Sequence, residues 1–150
     1  MTYASIVVGT DGSPTAERAV ARAGALSAID GARVIIVTAY TPGSSDMSAV
    51  MDTVPADIRH TLTDRVQAEE LAQRGRSIAK EAGAPKVVVQ AISGDPSSVL
   101  LEAAKDFDAD LIVVGSKGLT SHTHFIMGSV ASSVAHHAPC DVLVAHTTAG

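Results

Sequence analysis

Residues 110–146 read DLIVVGSKGLTSHTHFIMGSVASSVAHHAPCDVLVAH, and this stretch decides the fold. The apolar run Leu111-Ile112-Val113-Val114 stops at Gly115. Gly118 follows, then a nine-residue gap, then Gly128-Ser129 and an amphipathic segment that ends before Pro139. A second apolar run, Val142-Leu143-Val144-Ala145, closes the unit. The order is strand, Gly-rich loop, helix, strand. A turn of this kind aims backbone N–H groups and a helix N-terminus at one point, which suits an anion.

Working outward, the same alternation fills the chain. Ala4 to Gly9 (ASIVVG) is a short continuous apolar run, as expected of a strand buried on both faces of a parallel sheet. Thr10 to Pro14 is a turn in which Ser13 can cap a helix and Pro14 fits its first position. Ala16, Ala19, Val20, Ala23 and Leu26 then recur at helical spacing, and Asp30-Gly31 ends that helix. Arg33 to Tyr40 is the second strand. Thr41 to Pro55 is rich in Gly, Pro, Ser and Thr without a period, and reads as a long mobile loop. Asp57 to Ala82 is a long helix with Ala68, Leu71, Ala72, Gly75, Ile78, Ala79 and Ala82 on one face, stopped by Gly83 and Pro85. Lys86 to Ile92 is strand three. Asp95-Pro96 starts a helix that buries Val99, Leu100, Ala103 and Ala104. Asp110 to Gly115 and Asp141 to His146 are strands four and five. The pattern β-α-β-α-β-α-β-α-β predicts a Rossmann-like α/β fold, with a parallel sheet and helices on both faces.

Composition bounds the function. A length of 150 residues fits a single domain spanning 1–150. Hydrophobic residues make up 46% and mean hydropathy is +0.25, so the chain has enough apolar surface to fold. Aromatics are only 3%, which leaves a core of Val, Ile, Leu and Ala. The net charge of −5 argues against a nucleic-acid partner, because phosphate backbones call for clustered Lys and Arg. Cys140 is the only cysteine, which excludes a disulfide framework and a Cys-based metal site. No apolar run approaches a membrane span, and the N-terminus lacks a signal-peptide pattern. A cytoplasmic protein is the expectation.

In a doubly wound sheet, ligands sit beyond the carboxyl ends of the strands where strand order reverses. If strands one and four are neighbours, Gly9-Thr10-Asp11-Gly12-Ser13 faces Gly115-Ser116-Lys117-Gly118 there. Asp11 can then accept hydrogen bonds from a ribose, and Gly128-Ser129 can offer N–H groups and a hydroxyl to a phosphate. Neither the Walker A pattern nor G-x-G-x-x-G is present. Spacing alone leaves two readings open: a helix-end phosphate site, or glycines that merely make turns.

Other candidates are weaker. His122 and His124, two residues apart in the gap, read as solvent or phosphate-rim groups rather than metal ligands, since no third ligand accompanies them. His136 and His137 suit a helix C-terminus. Ser116, Ser129, Ser132 and Ser133 lack a nucleophile elbow, and Asp11 has no second carboxylate placed beside it, so no residue is assigned a catalytic role. Cys140, after Pro139 at a strand start, reads as buried and inert.

Gly115-x2-Gly118-x9-Gly128-Ser129 resembles the nucleotide-binding signature of the universal stress protein family. The start, IVVGTDGSPTAERAV, and the segments DLIVVGSKGL and MGSVASSVAHHAPCDVLVAH are similar to that family's first and last thirds. The resemblance implies a five-stranded parallel sheet of order 3-2-1-4-5, of the adenine-nucleotide α-hydrolase-like type. It implies an adenine nucleotide, whether ATP, AMP or cyclic AMP. Asp11 would hold the ribose, with Gly9 and Thr10 lining the purine side and backbone at Ala39 or Tyr40 reading the adenine edge. Gly115, Ser116 and Gly118 would wrap the ribose and α-phosphate, and Gly128, Ser129 and Val130 would hold the phosphates. It also implies a homodimer through strand 141–146, whose exposed apolar edge would otherwise be unprotected.

One departure bears on the ligand. Many ATP-binding members carry Arg or Lys in the nine-residue gap. Here the gap is LTSHTHFIM, and Lys117 is the one firm cation nearby. ATP would need Mg²⁺ to offset its charge, whereas a single phosphate, as in AMP or cyclic AMP, fits better. Three functions follow: a regulatory or second-messenger-binding module in the stress response, a weak ATPase or nucleotide-transfer enzyme on the same site, or a dimeric scaffold with an empty site.

Overall fold

Five runs dominated by Val, Ile and Leu, each bounded by turn residues, form the strands of one parallel sheet. The structure, a computed structural model, describes residues 2–41, 56–116 and 128–146, with the backbone alone for 56–63. The elements are β1 (Ser5–Gly9), α1 (Pro14–Asp30), β2 (Arg33–Tyr40), α2 (Ala56–Glu81), β3 (Lys86–Ser93), α3 (Pro96–Asp106), β4 (Leu111–Gly115), α4 (Ser129–His137) and β5 (Asp141–Ala145). Strand order is β3-β2-β1-β4-β5, so β1 and β4 are parallel neighbours and the order of the strands reverses between them. The long loop expected between Thr41 and Pro55 lies, from residue 42 on, outside the described residues.

The central strands alternate between two cores, which is why their sequences are apolar without a break. Ile6, Val8, Val34, Ile36 and Val113 pack against Ala19, Val20 and Ala23 of α1 and Ala79 of α2. Val7, Ile35, Val37, Ile112 and Val114 pack against Val99, Leu100 and Ala103 of α3 and Ala131 and Val134 of α4. Small residues let the first pair of helices close up: a Cβ at Gly24 would lie 2.7 Å from the carbonyl oxygen of Ala79. The buried face expected for α2 is present, with Ala68, Ala72, Gly75 and Ala79 buried and Leu71, Ile78 and Ala82 at its margins.

The helix ends follow the sequence signals. Ser13 caps α1, its hydroxyl accepting from the Ala16 N–H at 3.2 Å, and Gly31 closes the helix at φ 75°. Asp95 caps α3 by accepting from the Ser98 N–H, and the Ser98 side chain, together with that backbone bond, holds its carboxyl below the usual carboxylate range.

The amino end of the sheet is a polar clasp. Asp110 accepts from the Ala4 N–H at 2.9 Å and the Ser5 N–H at 3.1 Å. The Arg33 guanidinium donates to the Phe107 carbonyl at 2.6 Å and lies 5.5 Å from that ring's centre. The Tyr3 hydroxyl donates to Asp141 at 2.9 Å, tying β1 to β5. These bonds join the amino ends of the strands to the turns that precede them.

Cys140 departs from expectation. It is half-buried rather than buried, because β5 is an edge strand paired with β4 alone in this chain. Desolvation, with Asp141 and Asp110 nearby, raises its thiol pKa.

Candidate functional site

At the carboxyl end of β1 the chain turns through Thr10-Asp11-Gly12-Ser13, and the turn is held by its own side chains. The Thr10 N–H donates to the Val37 carbonyl at 3.0 Å, fixing the start of the loop to β2. The Gly12 N–H donates to the Thr10 hydroxyl at 3.1 Å, and the Ser13 N–H to the Asp11 carboxylate at 2.9 Å. Gly12 sits at φ +81°, a conformation that favours glycine, and a Cβ there would lie 2.4 Å from a Leu71 methyl. Asp11 is left exposed, with one carboxylate oxygen anchored to the turn.

The neighbouring strand supplies the other half. The Ser116 N–H donates to the Ala145 carbonyl at 2.9 Å, and the Gly128 N–H to the Ser116 carbonyl at 2.8 Å. These two bonds hold the end of β4 against the start of α4. Gly128 is the N-cap of α4 and brings no side chain to its N–H groups. The opening N–H groups of the helix are therefore free of a capping side chain, and they carry the positive end of the helix dipole.

Between these halves lies a cleft of ≈ 230 Å³. Gly9, Thr10, Asp11, Ala39, Gly115, Gly128, Ser129 and Val130, all expected from the sequence to serve the site, line it together. Ser116 is not among the residues lining it, and its backbone bonds Ala145 and Gly128 instead. Tyr40 borders a separate recess on the far side of Ala39. Lys117 and Gly118 lie outside the described residues, as do His122 and His124.

Sequence reasoning missed the apolar wall. Val37, Pro96, Val99, Leu100, Val114 and Ala131 close one side of the cleft, and Ser13 adds a buried hydroxyl. Pro96, Val99 and Leu100 belong to α3, whose Asp95-Pro96 start was legible. A helix that begins at the carboxyl edge of the sheet brings its first turns beside the point where strand order reverses. Gly9 is shaped to this wall, since a Cβ there would meet the Leu100 methyls at 3.1 Å.

The chemistry of the cleft is one-sided. Asp11 is the charged residue among the described residues lining it, and no Lys, Arg or His is among those. An apolar slot, a carboxylate acceptor and a helix N-terminus suit a flat apolar ring, a hydroxylated linker and a small anionic group in that order. Among the described residues no three His, Cys, Asp or Glu side chains gather where a metal ion could sit. No helix among them is long and apolar enough to cross a membrane.

Comparison with known proteins gives the family and matches the fold. The model of the universal stress protein family matches residues 2–146. The universal stress protein Rv1636 of Mycobacterium tuberculosis is 37% identical over 146 residues, covering 97% of this chain and 98% of its own. A crystal structure of a universal stress protein in complex with cyclic AMP superposes with a TM-score of 0.74 at 35% identity, covering 99% of this chain and 100% of that one. The universal stress protein of Archaeoglobus fulgidus in complex with dAMP does so with a TM-score of 0.67 at 27% identity, covering 96% and 98%. With its whole described fold and nearly its whole length accounted for, the chain belongs to the universal stress protein family.

Proposed function

We propose that this chain binds an adenine nucleotide carrying one phosphate, cyclic AMP or AMP, and serves as a regulatory or second-messenger-binding module of the stress response. The observation that carries the reading is the cleft between β1 and β4. It joins an apolar wall, the Asp11 carboxylate and the uncapped start of α4 within ≈ 230 Å³. In this reading the adenine lies against Val99 and Leu100 with its edge toward the backbone of Ala39. Asp11 accepts from the ribose, Gly9 and Gly115 let the backbone approach, and the N–H groups of Ser129 and Val130 receive the phosphate. The relatives crystallised with cyclic AMP and with dAMP support the ligand class.

The phosphate count follows from charge. The described lining carries a carboxylate and no cationic side chain, so a triphosphate would depend on Mg²⁺ or on Lys117 for compensation. A single phosphate is within reach of a helix N-terminus alone. No residue is assigned to catalysis; slow ATP hydrolysis on the same site is the second reading, favoured if ATP with Mg²⁺ binds more tightly. A cytoplasmic homodimer joined through strand 141–146 completes the proposal. Val142, Leu143 and Val144 are half-buried in the single chain, and a partner strand would cover that edge.

Titration calorimetry with cyclic AMP, AMP and ATP plus Mg²⁺ at matched salt tests the reading. Stoichiometric binding of cyclic AMP or AMP, tighter than ATP, is expected. Binding of none of the three at millimolar concentration would leave a dimeric scaffold with an empty site.

A further inference from the structure

The turn that presents Asp11 is closed from within by short-range bonds. The Gly12 N–H donates to Thr10 and the Ser13 N–H to Asp11, and each bond spans two residues at a partly exposed position. Bonds of this kind compete with water and add little net stability. The bond from the Thr10 N–H to Val37 anchors the first residue of the turn and leaves the next three to be fixed by other means. Ordering them costs backbone entropy that packing must offset.

That packing comes from α2. The three heavy atoms nearest to a Cβ placed on Gly12 all belong to Leu71, so a Leu71 methyl fills the space where a side chain of residue 12 would stand. One turn further along, Gly75 lies under Thr10, where a Cβ would come within 2.9 Å of Ile36 and 3.5 Å of the Thr10 methyl. Arg74 pairs with Glu17 in the first turn of α1. Residues 71, 74 and 75 share one face of the helix, and that face backs the chain from Thr10 to the start of α1. Leu71 is not among the residues lining the nucleotide cleft. Asp11 is exposed, and the direction of its carboxylate follows the backbone of the turn to which one oxygen is tied. We propose that Leu71 is a positioning residue of the nucleotide cleft, which by packing on Gly12 fixes the turn that aims the Asp11 carboxylate. Its effect on affinity rests on the nucleotide site proposed above; its effect on the order of the turn does not.

Leu71→Ala removes the packing and leaves Gly12 and Asp11 in place. Amide hydrogen exchange of the full chain without nucleotide should become about tenfold faster at Ser13, whose N–H donates to Asp11. Calorimetry with cyclic AMP should show affinity weakened by about tenfold, while Leu71→Met, close in volume, should bind within about threefold of the parent chain. In an Asp11→Asn background Leu71→Ala should change affinity by less than about threefold, because the carboxylate it positions is gone. Leu71→Val should act in the same direction to a lesser degree, and it replaces Leu71→Ala if that variant does not fold. Ile78→Ala controls for lost stability. Ile78 packs on the core about two turns further along α2, and its truncation should leave both the Ser13 exchange and the affinity within about threefold of the parent. The proposal is overturned if the Leu71 variant leaves the Ser13 exchange unchanged, if Ile78→Ala speeds it equally, or if cyclic AMP binds the Leu71 variant as tightly as the parent. A parent chain that binds no cyclic AMP refutes the proposed function instead, and the Ser13 exchange alone then decides whether Leu71 orders the turn.

Discussion

Replacing Gly12 with Ala probes the loop that presents Asp11, and its cost can be worked from two local facts. Gly12 sits at φ +81°, where an L-residue pays about 1–2 kcal/mol. The new Cβ would also lie 2.4 Å from a Leu71 methyl, the far end of a flexible side chain. Moving Leu71 off its rotamer costs about 0.5–1.5 kcal/mol. Together Gly12→Ala should destabilise the chain by about 1.5–3.5 kcal/mol, which for a domain of this size lowers Tm by about 3–14 °C. Urea unfolding measures it as a lower midpoint at unchanged slope. The two contributions separate in a double-mutant cycle with Leu71→Ala. In that background the clash is gone, so Gly12→Ala should cost only the backbone part, leaving a coupling of about 0.5–1.5 kcal/mol between the sites. A cost below about 0.5 kcal/mol, or the same cost in both backgrounds, would refute the geometry assigned to this loop.

Other expectations are simpler. Ser13→Ala removes the α1 cap and should cost about 1 kcal/mol by urea unfolding; no change would mean the hydroxyl does not cap the helix. Asp11→Asn should weaken cyclic AMP binding by tenfold or more in calorimetry with little change in Tm, and unaltered affinity would remove Asp11 from the ribose. Sedimentation should show a dimer for the parent chain, with a dissociation constant raised at least tenfold by Leu143→Glu; a monomeric parent chain would eliminate the β5 interface. Burial, with Asp141 and Asp110 nearby, raises the Cys140 thiol pKa, so the reactive thiolate is scarce at neutral pH. Its alkylation should be slower than that of a free cysteine at pH 7 and should rise with pH only above the range where a free cysteine responds. Rapid labelling at pH 7 would contradict this.

How much of this was legible depended on whether a feature is written locally. Each strand announced itself because burial on both faces forbids polar interruptions in a run such as Val34 to Val37. Ser13-Pro14, Gly31 and Asp95-Pro96 marked helix ends because caps act within a few residues. Strand order did not follow from the alternation; the family resemblance supplied it. The apolar wall of the cleft was invisible for another reason. Val99 and Leu100 were identified as core, and nothing in their spacing tells a side chain facing a packed interior from one facing a ligand slot. Buried polar groups, Ser27, Thr38 and Asp64, broke the apolar pattern and were passed over. Ser27 proves to be structural, its hydroxyl donating to the Ala32 carbonyl at 2.5 Å. Cys140 misled because an edge strand and a central one look alike in sequence.

In the proposed function a nucleotide lies where β1, β4 and the start of α4 converge. Amide chemical-shift mapping during a cyclic AMP titration tests it most directly. The largest saturable shifts are expected at Gly9 to Ser13, Gly115, Ser116 and Gly128 to Val130, with the Asp110 and Tyr3 clasp at the opposite end of the sheet unmoved. Shifts centred on that clasp, or none at saturating ligand, would contradict it.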